Sequence, residues 1–159
     1  IPTPVFGDGY LYVVSGPKSP SMAIRPGGRG DVTETHVRWR NTRGAPFVPS
    51  AILVGDRYYL VDDAGIATCL DAASGERVWQ KRLSGAFTAS PVAGDGKIYF
   101  TNEDGETTVI AAGNGGFKRL ARNSVGEPVY ASPAIAQGCI FLRTNRHLLC
   151  IDGHDGDNP

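Results

Sequence analysis

The sequence predicts an all-β chain, a β-propeller, and three observations carry that reading. The chain matches itself at an offset of about 40 residues, its short apolar runs are parted by glycine turns, and no apolar 3.6-residue period persists for ten residues. Four short strands in each unit of such a repeat is the pattern of a propeller blade.

The repeat can be followed residue by residue. Gly55-Asp56-Arg57-Tyr58-Tyr59-Leu60-Val61-Asp62-Asp63-Ala64-Gly65 falls on Asp95-Gly96-Lys97-Ile98-Tyr99-Phe100-Thr101-Asn102-Glu103-Asp104-Gly105. Ser50 and Ser90, Tyr59 and Tyr99, and Trp39 and Trp79 keep the same step of 40, while Ala89-Ser90-Pro91 returns as Ala131-Ser132-Pro133 at a step of 42. Upstream, Thr3-Pro4-Val5-Phe6-Gly7-Asp8-Gly9 copies Ser90-Pro91-Val92-Ala93-Gly94-Asp95-Gly96. Four units follow, with sheets expected to start near Pro4, Ser50, Ser90 and Ser132 and with helix in under about a tenth of the residues.

Within the third unit, strands are predicted over 91–93, 97–102, 107–112 and 117–122. Gly94-Asp95-Gly96 forms the first turn, Glu103-Asp104-Gly105 a hairpin, and 113–116 a glycine turn. The second unit repeats the plan, with strands three and four over 67–71 and 77–83 around the turn Ala73-Ser74-Gly75. The fourth unit ends with its third strand, 147–151. The blades are therefore expected over 1–47, 48–88, 89–130 and 131–152, the last three-stranded, with a polar tail over 153–159. Four units would make a tightly curved ring, so the chain reads as the C-terminal half of a larger propeller.

Leu70-Asp71-Ala72-Ala73-Ser74-Gly75-Glu76-Arg77-Val78-Trp79 resembles the repeat of pyrroloquinoline-quinone-like propellers: an aspartate, a small turn ending in glycine, then a tryptophan four residues on. The stretches 23–32 and 104–109 are similar to bacterial propeller repeat proteins of this kind, abundant in planctomycetes. A more distant resemblance is to the propeller lipoprotein of the outer-membrane β-barrel assembly machinery. The resemblance implies a ring of seven or eight blades, in which Asp71, Gly75, Trp79 and Trp39 fasten blade to blade. It also implies a non-enzymatic scaffold binding protein or peptide in the cell envelope or periplasm. A quinoprotein dehydrogenase and a polysaccharide-binding or -cleaving module are the alternatives. In the third unit Arg119 is read at the tryptophan position.

Composition fits a scaffold. Sixteen basic and sixteen acidic residues give no net charge, which removes the electrostatic argument for nucleic acid or an anionic membrane. No apolar run approaches the ~18 residues of a membrane span. Cys69, Cys139 and Cys150 are expected to be free thiols, Cys139 and Cys150 lying on one hairpin but out of opposed register. His36 and His147 are placed inside strands as structural residues, and the carboxylates of 152–157 read as a solvated tail. Gly27-Gly28-Arg29-Gly30 is not followed by a predicted helix and so is no phosphate cradle, and Arg29-Gly30-Asp31 is a polar turn. With neither a Cys-Cys pair nor metal-spaced ligands, no quinone and no structural metal are expected.

One face of a propeller gathers the tips between strands two and three and the loops between blades. Here it would carry Asp62, Asp63, Glu103, Asp104 and Arg146 from the tips, with Phe47, Phe87 and Tyr130 from the loops. Aromatic residues rimmed by charge could form a peptide or protein groove. The other reading, that these aromatics cap the blade core, is the preferred one. An arc of blades would close only with a partner, either a missing N-terminal half or a second copy of the chain, because open strand edges recruit strands.

Overall fold

The computed structural model describes residues 2–14, 16, 20–42 and 44–153. The first sheet contains β1 (Val5–Gly7), β2 (Tyr10–Val14), β3 (Ser21–Ile24) and β4 (Val37–Asn41). The second contains β5 (Ile52–Val54), β6 (Arg57–Val61), β7 (Ile66–Asp71) and β8 (Arg77–Arg82), and the third β9 (Val92–Gly94), β10 (Lys97–Thr101), β11 (Glu106–Ala111) and β12 (Arg119–Ser124). The fourth has β13 (Ala134–Ala136), β14 (Cys139–Arg143) and β15 (Leu148–Asp152). Each sheet runs in chain order with antiparallel neighbours, so the architecture is the expected all-β propeller. The sheets start within two residues of the repeat positions named above.

A few elements differ from expectation. A four-residue helix, α1 (Thr33–His36), interrupts the first blade between β3 and β4, and His36 ends it rather than lying in a strand. Its single turn follows Gly27-Gly28-Arg29-Gly30 and is too short to present a phosphate site. His147 sits in the hairpin before β15. Phe117 precedes β12 instead of opening it. Of the polar tail, 154–159 lies outside the described residues.

Local chemistry explains the strands. The β1–β2 turn places both Asp8 (φ 50°) and Gly9 (φ 77°) in the left-handed region, the backbone of a tight hairpin whose twist matches its strands. β6 and β7 are buried on both faces, as a sheet sandwiched between two others must be. The fourth strands β4 and β8 bury one residue each and β12 none, so each sheet is apolar inside and solvated along its outer strand.

Three interactions join one blade to the next. The first is a serine ladder at the inner edge: Thr3 N donates to Ser50 Oγ, Ser50 N to Ser90 Oγ and Ser90 N to Ser132 Oγ, each at 2.9 Å. The repeat serine therefore satisfies a backbone donor of the preceding blade. The second is a core held between blades. Tyr12, Ala23 and Trp39 of the first sheet pack with Tyr58, Leu60 and Leu70 of the second. Tyr59, Cys69 and Trp79 of the second pack with Ile98, Phe100 and Ile110 of the third. The third is the tryptophan itself. Trp39 Nε1 donates to Ala72 O at 2.8 Å, and a Cβ on Gly75 would come within 2.5 Å of the indole. Gly75 thus opens the seat for the tryptophan of the preceding blade.

Asp71 shapes that seat. Its Oδ1 accepts from Ala73 N at 3.1 Å and Ser74 N at 2.9 Å, while its Oδ2 accepts from Arg57 Nη1 at 2.6 Å. Trp79, one blade on, lies edge-on to Phe117 with ring centroids 5.2 Å apart. Burial pushes the Cys69 thiol up to about 11, in keeping with a small core residue.

Register corrects one assignment. Trp39 stands opposite Ala23 and Trp79 opposite Cys69, and the matching pair in the third blade is Val109 with Ala121. Arg119 instead matches Arg77, so the residue at the tryptophan position is Ala121. The interface between the third and fourth blades, lacking that indole, contains an apolar slot of about 130 Å³ lined by Tyr99, Val109, Val125, Ile140, Leu142 and Ile151 among others. On the fourth sheet Cys139 pairs with Asp152 and Phe141 with Cys150, and both thiols are free.

Trp39→Ala should lower unfolding free energy by about 3–5 kcal/mol, the usual range for a large buried aromatic. Ser90→Ala, which strands one backbone donor, should cost about 1–3 kcal/mol. Chemical denaturation followed by tryptophan fluorescence and circular dichroism measures both, and equal small losses would contradict the ranking.

A pH effect follows from Asp71. The Ser74 backbone N–H holds its carboxyl below the ordinary range, with the Ser74 hydroxyl and Arg57 acting in the same direction. A carboxyl lowered on folding stabilises the fold above its unfolded pKa, and that contribution disappears as pH falls through the folded value. Stability should therefore decline below about pH 4 in part through Asp71, and the decline should be shallower in Asp71→Asn. Denaturation midpoints from pH 6 to about pH 2.5 would show it.

Candidate functional site

The hairpin tips between β6 and β7, β10 and β11, and β14 and β15 are built by one device. Asp62 Oδ1 accepts from Ala64 N at 3.1 Å and Ile66 N at 2.8 Å, and Asn102 Oδ1 accepts from Glu106 N at 2.8 Å. Thr144 Oγ1 accepts from His147 N at 2.8 Å. The first side chain of each tip therefore closes its own turn, as Asp, Asn and Thr commonly do.

The second tip residue reaches sideways. Asp63 Oδ2 accepts from Phe47 N at 2.8 Å, and its carbonyl accepts from Phe87 N at 3.0 Å. Glu103 N donates to Ala86 O at 2.9 Å, and Glu103 O accepts from Val129 N at 3.1 Å. Thr88 Oγ1 donates to Glu103 Oε1 at 2.5 Å, and Asn145 N to Pro128 O at 3.0 Å. Tips and inter-blade loops are thus stitched into one surface by backbone hydrogen bonds.

The predicted face residues separate on this surface. Asp62, Asp63 and Glu103 are engaged in its construction. Phe87 is 2 % exposed and lies beneath Gly65, so it belongs to the core and is withdrawn from the face. Phe47 and Tyr130 are about half exposed, at 53 % and 51 %. Asp104 and Arg146, at the tips of the third and fourth sheets, are exposed. A shallow pocket lined by Tyr130, Ala131, Arg143, Thr144 and Asn145 adjoins Tyr130. The face thus presents two aromatic side chains and a charged rim on a cross-bonded base, which suits a polypeptide more than a small enclosed substrate.

The sequence reading missed one polar cluster. Glu127 Oε2 accepts from Thr144 Oγ1 at 2.6 Å, and Glu127 Oε1 lies 2.8 Å from His147 Nδ1. The Thr144 hydroxyl holds the Glu127 carboxyl below its ordinary range. The carboxylate stands between the hydroxyl and the imidazole, so the imidazole is not placed to take the hydroxyl proton and the trio lacks the order of a nucleophile–base–orienter chain. No cluster of three or more His, Cys, Asp and Glu side chains that could hold a metal occurs among the described residues.

Comparison with known proteins follows the fold. The family described as outer membrane protein assembly factor BamB matches residues 2–81 and, overlapping, 29–118. The chain belongs to this family. The BamB protein of Burkholderia pseudomallei is 24 % identical over 109 residues, which is 64 % of this chain and 26 % of that protein. The crystal structure of BamB from Moraxella catarrhalis superposes with a TM-score of 0.71 at 14 % identity, over 94 % of this chain and 41 % of that one. The quinohemoprotein alcohol dehydrogenase of Comamonas testosteroni superposes with a TM-score of 0.67 at 18 % identity, over 89 % of this chain and 28 % of that one. The chain thus spans about a quarter to two fifths of the length of these proteins, and the structural likeness to the two solved structures is one of fold.

Asp62→Ala should cost about 1–2 kcal/mol, because two backbone donors lose their acceptor, while Asp104→Ala should stay within about 0.5 kcal/mol. Urea melts of the two variants separate a turn-building carboxylate from a free one. Equal effects would show that the tip hydrogen bonds do not distinguish them.

Proposed function

We propose that this chain is a non-enzymatic propeller scaffold whose hairpin-tip face holds a protein or peptide partner in the bacterial cell envelope. Membership of the BamB family supports the setting, since the family is described as an outer membrane assembly factor. The observation that carries the reading is Phe47 and Tyr130 standing half exposed on a base whose backbone groups are bonded across blades. Aromatic side chains held rigidly lose little conformational freedom on binding, which makes them effective anchors. Asp104 and Arg146 at the rim select partners by charge.

Site-specific photo-cross-linking in the native cell tests this. A cross-linking amino acid at position 47, 130 or 146 should capture a discrete envelope protein, and the same residue at Asp95, in the β9–β10 turn, should not. Phe47→Ser with Tyr130→Ser should weaken capture at 146 by about tenfold or more, as loss of two anchors implies. Equal capture at position 95, or capture indifferent to the double variant, overturns the assignment.

A further inference from the structure

A net charge of zero conceals a segregation of charge. The fourth strands of the three complete blades carry seven cations, two on β4, three on β8 and two on β12, and no carboxylate. The acidic side chains lie in other elements, four of the sixteen at the tips of the second and third blades, Asp62, Asp63, Glu103 and Asp104. The serine ladder marks the inner edge of each sheet, so these cationic strands form the outer rim of the arc.

Between β8 and β12 the rim folds into a cleft of about 270 Å³ with Lys81, Arg82, Arg119 and Arg122 in its lining and Leu83 and Phe117 beside them. Two of the four cations are committed. Arg122 Nη2 lies 2.5 Å from Glu106 Oε2 and donates to Ser84 Oγ at 3.0 Å, while Arg82 Nη1 donates to Ala64 O at 3.1 Å. Glu106 is neutralised where it sits, its carboxyl held below the ordinary range by Arg122. The side chains of Lys81 and Arg119 are exposed and make no hydrogen bond or ion pair among the described residues, Arg119 acting on Glu106 only through its field. Their ring neighbour Phe117 is half-buried against Trp79 and keeps part of its surface in the cleft.

We infer that this cleft is a second binding site, for an extended acidic segment of a partner protein with apolar residues interspersed among its carboxylates. Three features select that occupant. Lys81 and Arg119, one on each wall, offer charge to carboxylates from both sides. Phe117, which keeps part of its surface in the cleft, offers apolar surface that a bare polyphosphate cannot use. A cleft between neighbouring outer strands admits a single extended chain, whose side chains alternate in direction along its length, and excludes a nucleic-acid duplex or a flat bilayer. The inference rests on the scaffold reading above but uses a different surface, so each can fail alone.

The test uses the full chain and a fluorescein-labelled decapeptide alternating Glu or Asp with Leu or Phe, read by fluorescence anisotropy. The acidic peptide should bind with an affinity that falls as salt rises, and a Lys-for-Glu version should not bind. Lys81→Glu with Arg119→Glu should weaken binding about tenfold or more, Lys81→Gln with Arg119→Gln by less, and Lys97→Gln not at all. Phe47→Ser with Tyr130→Ser should leave peptide binding unchanged, which separates this site from the hairpin-tip face. Circular dichroism melts check that each variant is folded. Absence of peptide binding, or binding indifferent to both Lys81/Arg119 double variants, overturns the proposal. Co-sedimentation with phosphatidylglycerol vesicles that the charge reversal abolishes, without peptide binding, also overturns it and assigns the rim to lipid phosphate.

Discussion

Everything in this structure depends on how one blade seats on the next. A sheet of four strands, each three to six residues long, has two apolar faces and too little of its own to bury between them. The cores accordingly lie between sheets and not within them. The Asp71–Gly75 turn shows the coupling at its tightest. Asp71 closes the turn that ends β7, the turn brings Gly75 under the indole of Trp39, and Ala72 accepts the indole N–H. A change in that turn is therefore felt in the blade before it. Stability in such an arrangement is close to a sum over neighbouring pairs, as in other repeat proteins.

The pairs are not equal. The first two interfaces hold Trp39 and Trp79, and the third holds Ala121 at the same register with an apolar slot nearby. The serine ladder and the tip-to-loop hydrogen bonds nevertheless continue into the fourth sheet through Ser132 and Asn145. Geometry is therefore propagated by the polar seams of the serine ladder and the hairpin tips, while the apolar filling between the sheets varies. This division explains how the hairpin-tip face stays regular across blades whose packing differs. It also leaves the side chains of Phe47 and Tyr130 about half exposed on that face.

The repeat made the fold legible, because a 40-residue period with turn glycines admits few architectures. Other features were hidden for identifiable reasons. Arg119 was read at the tryptophan position because the glycine turn after β11 is longer than the one after β7, which displaces the count by two. Phe47 and Phe87 stand at the same distance before their serines yet differ in burial. Phe87 packs beneath Gly65, whose turn is closed by the Gly65 N to Asp62 O hydrogen bond, whereas the ring of Phe47 lies against Gly16. Aligned positions share a backbone location, and burial is decided by the neighbour across the interface. The polar trio of Glu127, Thr144 and His147 gave no sequence signal because it joins an inter-blade loop to a tip 17 to 20 residues away.

Charge is the property for which the whole-chain average misled most. Electrostatic interactions are screened over about 8 Å at physiological ionic strength, so a partner senses the strand it touches and not the sum over 159 residues. The repeat itself produces the segregation. Each complete blade places its least buried strand at the rim, so a modest preference for Arg and Lys at equivalent positions is multiplied from blade to blade. A protein of zero net charge thereby acquires a cationic outer rim.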